Sequence, residues 1–502
     1  MSEQRKIGSF IKSLREARGL TQEEFAKALG TSQSAVARME RGGQNFTTHV
    51  LGKIGRTLEH KIVALTNSVD FKIEGGRKLH GAITTNSSKN GALGLLAASL
   101  INRAPTTLRG IPRIEEMNRF VEVLQSIGVK VEWIDKNSVL VTPPKTLRLG
   151  EMNNLSAEKI RSILMLIGGL IHRAKLFSIP HAGGCKMGNR TIAAHRYGLE
   201  ALGVKIATRD KKYDIKVGKL QPAEITLYEA SDTATENLLI AAAGIPGTTV
   251  ISFATPNYQV QEVCFFLEAL GIRLEGIGTS TLTVHGVEKI DTPIEYENSE
   301  DPIESMMFLS AAITTKSELT VKRCPIDFLK LELLKLEKMG LRYKKTREYL
   351  SRNRRTKLVD VTVYPSRLTA LDDKIHAQPY PGINTDNLPF FVPIATQALG
   401  TTLIHDWMWE NRAIYFTELN RLGAKVTLAD PHRAFIQGPT PLKATQVVCP
   451  PALRPAMIIL IAMLGAKGVS ILRNVYSINR GYEEIAHRLN SIGARISVLS
   501  GV

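Results

Sequence analysis

Along residues 70–502 the alternation of apolar and polar positions repeats one phrase six times: an amphipathic helix ends in leucine-x-x-x-glycine, and a strand follows. The phrase is anchored by Leu124, Gly128 and Val131; Leu199, Gly203 and Ile206; Leu267, Gly271 and Leu274; Leu336, Gly340 and Tyr343; Leu419, Gly423 and Val426; and Leu489, Gly493 and Ile496. The glycines lie 75, 68, 69, 83 and 70 residues apart. Each reads as a helix stop, and the alternating residues after it read as a strand with one wet face. A second phrase puts an alanine-rich apolar helix before a β-branched strand, as around Gly247, Gly400 and Gly465. A unit of about 70 residues thus holds two helices and roughly four strands, too large for a solenoid repeat. The pattern predicts an α/β fold of two domains with three units each, and a ligand pocket between them.

Residues 6–65 carry a different pattern, that of short amphipathic helices. Thr21 and Glu24 form a capping box ahead of a helix bearing Phe25, Ala28 and Leu29, and Gly30 stops it. Thr31 and Ser32 open a second helix that runs to Glu40. Helix, tight turn, helix is a helix-turn-helix layout. The stretch from Leu20 to Gly42 resembles the phage-repressor and Cro-like family. The resemblance implies double-stranded DNA as a partner, with Gln33, Ser34 and Arg38 toward bases or phosphates and Gln22 supporting them. Residues 1–67 are assigned to this small all-α domain.

A length of 502 residues suits two to four domains. The longest apolar run, 456–466, has the length of a buried helix, so no membrane span is expected. The polar N-terminus lacks the apolar core of a signal peptide, which predicts a cytoplasmic protein. Of the net charge of +18, only +4 falls in residues 1–70. The basic body suggests anionic small substrates at least as strongly as nucleic acid. Cys185, Cys264, Cys324 and Cys449 are scattered, which argues against a zinc site or a disulfide framework.

Two motifs carry chemistry. Ser88, Lys89 and Asn90 place a cation at the start of an apolar helix, a setting that favours an anion. The segment 181–190 sets Cys185 among Gly183, Gly184 and Gly188, flanked by Lys186 and Arg190. Neighbouring cations lower a thiol pKa and mark Cys185 as a reactive cysteine.

With these motifs the chain from Phe71 onward resembles the UDP-N-acetylglucosamine 1-carboxyvinyltransferases, with the 3-phosphoshikimate 1-carboxyvinyltransferases more distant. Further matching positions are Lys159, Arg161, His195, Glu236, Asp301, Asp386, Arg412 and Arg480. The resemblance implies two inside-out α/β barrels, one of 71–88 plus 262–502 and the other of 89–261. It implies phosphoenolpyruvate and UDP-N-acetylglucosamine as substrates, with no metal or organic cofactor. Lys89, Arg190 and Arg412 would clamp phosphoenolpyruvate. Arg161 and His195 would face the nucleotide sugar, and Asn90 and Asp301 the amino sugar. Ser231, Glu262 and Asp386 complete the substrate-binding set. Cys185 would donate a proton, Asp301 would take the hydroxyl proton, and fosfomycin would alkylate Cys185.

Five positions depart from the family pattern: Ala182, Lys186, Met165, Glu262 and Ala452. Two other functions fit parts of the chain: a transcription regulator whose body senses a ligand, and an enolpyruvyl transferase acting on shikimate 3-phosphate. Retention of the cysteine loop favours the nucleotide-sugar enzyme over both.

Overall fold

The computed structural model describes residues 3–43, 48–58, 69–183 and 191–500. It divides into an N-terminal unit, up to Asp70, and a body, Phe71–Ser497.

The N-terminal unit is built on helices Glu3–Ala17, Gln22–Leu29, Gln33–Glu40 and Thr48–Thr57. The capping box forms: the Thr21 amide donates to Glu24 Oε2 at 2.7 Å and the Glu24 amide to Thr21 Oγ1 at 3.2 Å. Gly30 ends the helix with φ +61°. Ile11, Phe25, Leu29, Val36, Ile54 and Leu58 form the core. A buried ion pair crosses it, Arg15 Nε to Glu40 Oε1 at 2.5 Å. Gln22 donates to the other Glu40 oxygen at 2.8 Å, and Gln33 donates to Gln22 at 2.8 Å. That relay fixes Gln33 on the surface, where Ser34 and Arg38 are also exposed.

In the body, the six repeats become six sheets. All six phrase glycines have φ between +83° and +99°, a left-handed conformation that turns the chain from helix to strand. The strands after them are Lys130–Trp133, Val204–Arg209, Arg273–Glu275, Tyr343–Lys345, Lys425–Asp430 and Ile496–Ser500. Every one lies at the edge of its sheet, which explains the alternation of buried and wet positions. The strands of the second phrase, such as Gly247–Ser252, Gly400–His405 and Gly468–Arg473, lie inside their sheets.

The helices that precede the strands of the second phrase and their counterparts in the other units are apolar on all sides because they are buried on all sides. In one lobe these are Lys89–Ala98, Leu166–Leu170 and Asp232–Ala243; in the other, Pro302–Thr314, Phe391–Ala395 and Leu453–Gly465. The apolar run at 456–466 is the last of them, buried from Leu453 to Leu464. Among the described residues no helix is long and apolar enough to cross a membrane.

The inserted lobe extends further than the expected end at 261. That point falls inside helix Tyr258–Ala269. The following strands stay with the lobe: Arg273–Glu275 and Thr281–Gly286 complete the sheet of Gly247–Ser252, and Ile294–Glu297 pairs in parallel with Thr106–Arg109. One continuous core runs from Ala92 to Tyr296. The lobes therefore meet at two crossings, near 85–88 and 298–301. There the Ser88 amide donates to Ser299 O at 2.7 Å and the Asp301 amide to Asn86 O at 2.8 Å.

The glycine stops differ in what surrounds them. A Cβ on Gly271 would meet nothing within 4 Å, whereas one on Gly203 would lie 2.2 Å from Lys219 O. Gly271→Ala should cost about 1–2 kcal/mol, the left-handed penalty alone. Gly203→Ala adds a backbone clash and should lower the urea midpoint clearly more. Equal midpoints for the two variants would contradict this account of the repeats.

Candidate active site

A cleft of about 560 Å³ opens between the lobes. Its cations come from elements that begin or end at its rim. Lys89 is the first residue of a helix capped by Ser88, whose Oγ accepts from the Gly91 amide at 3.0 Å. Arg161 begins the short helix Arg161–Met165, Arg454 lies in the first turn of the last buried helix, and Arg480 follows helix Tyr476–Asn479. All four line the cleft.

Carboxylates hold Lys89 and Arg454 in place. Lys89 Nζ lies 3.0 Å from Glu116 Oε2. Burial pushes the Glu116 carboxyl up, but Lys89, Arg480 and Arg454 outweigh it and keep it below the usual range. Arg454 reaches Asp386 Oδ2 at 3.0 Å and Tyr482 Oη at 2.6 Å. Asp386 balances in the same way: burial raises it, and Arg454, Arg412 and Lys89 bring it below normal. Other groups that line the cleft are acidic or polar. Ser231 caps helix Asp232–Ala243, and Asp232 accepts from Asn257 at 2.9 Å and Gln259 at 3.0 Å. Asn90 donates to Tyr258 Oη at 2.9 Å.

The structure brings Lys89, Asn90, Arg161, Ser231 and Asp386 together on this surface. Four other expected site residues stand behind it. Arg412 is wholly buried, with Nε and Nη2 on Asp406 and Nη2 on Thr385 O at 2.7 Å. Its remaining nitrogen, Nη1, points toward Asp386 Oδ1 at 3.7 Å. His195 is enclosed by Asn237 at 3.0 Å and Thr233 at 3.2 Å, and burial beside Arg161 lowers its pKa to about 3. It is a neutral brace for Thr233, which does line the cleft. Glu262 accepts from the Ser299 amide at 3.1 Å and from Asn353 at 3.2 Å, so it ties the lobe crossing and does not reach the cleft. Asp301 caps helix Pro302–Thr314 through Oδ1, with burial and Glu304 raising its pKa against the pull of Arg454. Cys185 and Arg190 lie outside the described residues. Cys264, Cys324 and Cys449 are buried, and burial raises all three thiols.

Glu116, Asp232 and Tyr258 also line the cleft without having stood out in the sequence. Glu116 sits on an ordinary amphipathic helix, and only folding brings it to Lys89.

Two inside-out lobes around an anion-collecting cleft define the enolpyruvyl transferase class. The enolpyruvyl transferase NikO from Streptomyces tendae shares this fold, with a TM-score of 0.73 at 23% identity over 87% of this chain and all of that one. EPSP synthase from Acinetobacter baumannii shares it too, with a TM-score of 0.69 at 17% identity over 86% of this chain and all of that one. The chain belongs to the EPSP synthase (3-phosphoshikimate 1-carboxyvinyltransferase) family, whose model matches residues 73–489, and within it to the UDP-N-acetylglucosamine 1-carboxyvinyltransferases. It is 33% identical to that enzyme of Bradyrhizobium diazoefficiens, over 85% of this chain and 97% of the relative. With that of Treponema denticola it shares 34%, over 86% and 99%. A helix-turn-helix family model matches residues 11–60.

Burial raises the Glu262 pKa to about 7. The folded state then holds a proton that the unfolded state releases above about 4.3. The Glu262 contribution to stability is complete below that value, is lost as pH rises through 7, and stays lost above it. Glu262→Gln should therefore be more stable than the parent at pH 8 and gain little at pH 4.5, measured by urea unfolding. A gain independent of pH would contradict the assignment.

Proposed function

We propose that the protein transfers the enolpyruvyl group of phosphoenolpyruvate to the 3-hydroxyl of UDP-N-acetylglucosamine, releasing phosphate, in the cytoplasm. The observation that carries this reading is the convergence of Lys89, Arg161, Arg454 and Arg480 on one cleft between lobes of this fold. Both substrates are phosphorylated, and charge-assisted donors are the groups that bind phosphate and carboxylate best.

In this reading the sugar hydroxyl attacks carbon 2 of phosphoenolpyruvate while carbon 3 gains a proton from the Cys185 thiol. The hydroxyl proton goes to Asp386, a carboxylate that lines the cleft; Asp301, expected in that role, stands behind the wall with Oδ1 committed to the helix amides. Breaking the carbon–oxygen bond to phosphate while the Cys185 thiolate takes a proton back from carbon 3 regenerates the double bond and restores the thiol. Arg190 and Lys89 hold the phosphate, and Arg412 acts from behind the wall by placing Thr385 and Asp386. The positive side chains supply the electrostatic stabilisation without a metal.

The N-terminal unit adds DNA recognition. Gln33 and Ser34 lie exposed at the start of helix Gln33–Glu40 and Arg38 in its last turn, and Gln22 braces Gln33. Residues there suit readout of base edges and phosphates.

Phosphate release should be seen with UDP-N-acetylglucosamine and should be absent with shikimate 3-phosphate. Cys185→Ala should abolish turnover, and fosfomycin should inactivate the parent by modifying that thiol. Lys89→Ala should lower kcat/KM for phosphoenolpyruvate by roughly two to three orders of magnitude, the loss typical of one charged donor. Turnover undiminished in Cys185→Ala, or release with shikimate 3-phosphate alone, would overturn the reading.

A further inference from the structure

The six units offer an internal comparison. In four of the other five the strand after the phrase glycine returns through a short connection, and in the last unit Ile496–Ser500 is the final strand. Between Glu275 and Thr281, and between Asp430 and Arg433, only a few residues intervene. The fourth unit is different: between Tyr343–Lys345 and Lys357–Val363 the chain runs out over residues 346–356 and adds the short strand Tyr349–Leu350. Since the other sheets close without such an excursion, folding does not require it.

Its composition departs as well. Residues 341–363 carry eight basic and two acidic side chains, whereas the matching hairpins carry five and two at 204–217, two and one at 424–438, two of each at 129–142 and one of each at 272–286. Edge-strand lysines commonly serve only to prevent edge pairing, and one or two per strand suffice. Here the charge goes much further. Three of the eight cations are compensated: Arg352 by Glu297 at 3.1 Å, Arg355 by Glu268 at 3.2 Å and Lys357 by Glu348 at 3.8 Å. The second acid, Asp360, is taken up by the Tyr349 hydroxyl at 2.5 Å and the Arg323 amide at 2.9 Å. Arg342, Lys344, Lys345, Arg347 and Arg354 are exposed and have no ion pair among the described residues. Five unpaired like charges within residues 342–354 raise the local positive potential, which a polyanion would lower.

The hairpin is held firmly. Asn353 donates to Ser299 Oγ at 2.7 Å and to Glu262 at 3.2 Å, and Thr356 shares a hydrogen bond with Ser299 at 3.0 Å. A braced basic surface suits a backbone of regularly spaced phosphates, with no base-specific groups needed.

We infer that this hairpin is a second nucleic-acid contact, which grips the phosphate backbone of double-stranded DNA without reading its sequence. Duplex DNA is the polyanion favoured because the same chain carries a helix-turn-helix. A duplex captured there is tethered to the body, which makes a second, weak contact effective. The inference stands apart from the enolpyruvyl transfer, because none of the five residues lines the cleft.

The test uses the full chain and a mixed-sequence DNA duplex, with affinity measured over a salt series. Neutralising the hairpin by Lys344→Gln, Lys345→Gln and Arg347→Gln together should flatten the slope of log K against log salt by about 3, close to one per phosphate contact. Affinity near 0.1 M salt should fall at least tenfold. The same change at the equivalent edge-strand cations Lys130, Arg273 and Lys425 should do neither. Turnover should be unchanged in both variants, which controls for folding. Equal slopes for the hairpin variant and the parent would overturn the inference. So would a parent that ignores the duplex and binds an acidic polypeptide instead. Gln33→Ala is a separate arm: loss of sequence preference with the hairpin effect retained supports the inference, whatever the helix-turn-helix reads.

Discussion

The body depends on one short piece of antiparallel pairing, where the two chain crossings between the lobes lie side by side. The Ser88 amide donates to Ser299 O and the Asp301 amide to Asn86 O, and Asn298 bridges Ser88 O at 2.8 Å and Gly110 O at 2.9 Å. Each crossing runs directly into a helix cap: Ser88 opens the buried helix of one lobe and Asp301 that of the other. Two helix N-termini, whose unpaired amides favour negative charge, therefore start at the same hinge. The pairing is close enough that a Cβ on Gly91 would lie 2.7 Å from Asn298 Oδ1. Lys89 owes its place on the cleft to this arrangement.

The electrostatics of the cleft follow from the same constraint. Bringing Lys89, Arg454 and Arg480 together without counter-charges would be unfavourable, and Glu116 and Asp386 supply them. These carboxylates orient the cations before an anion arrives, so the site is preorganised for phosphate and carboxylate. Arg412 works at one remove. With Asp406 consuming most of its hydrogen-bonding capacity, it fixes the segment that carries Asp386.

Much of this was legible in the chain. The six leucine-glycine phrases foretold six sheets because a left-handed glycine and an alternating edge strand each leave a local mark. The Thr21 capping box and the apolar run at 456–466 were equally direct. Residue roles were harder to read. Motif matches placed His195, Glu262, Asp301 and Arg412 near substrate, but a motif cannot tell a wall residue from one behind the wall, and all four are buried behind it. The end of the inserted lobe was also hidden, because helix Tyr258–Ala269 carries no composition break where the boundary was expected. Glu116 and Tyr258 meet Lys89 and Asn90 only through contacts distant in sequence. Nothing near them announces a site.

The central claim is that both lobes grip the ligands at one hinge-centred cleft. Amide hydrogen exchange of the full chain, with and without UDP-N-acetylglucosamine and phosphoenolpyruvate together, tests it most directly. The account predicts added protection in segments of both lobes that frame the cleft, around 88–91 and 229–236 on one side and 384–386 and 453–455 on the other. Protection confined to one lobe, or located away from these segments, would contradict it.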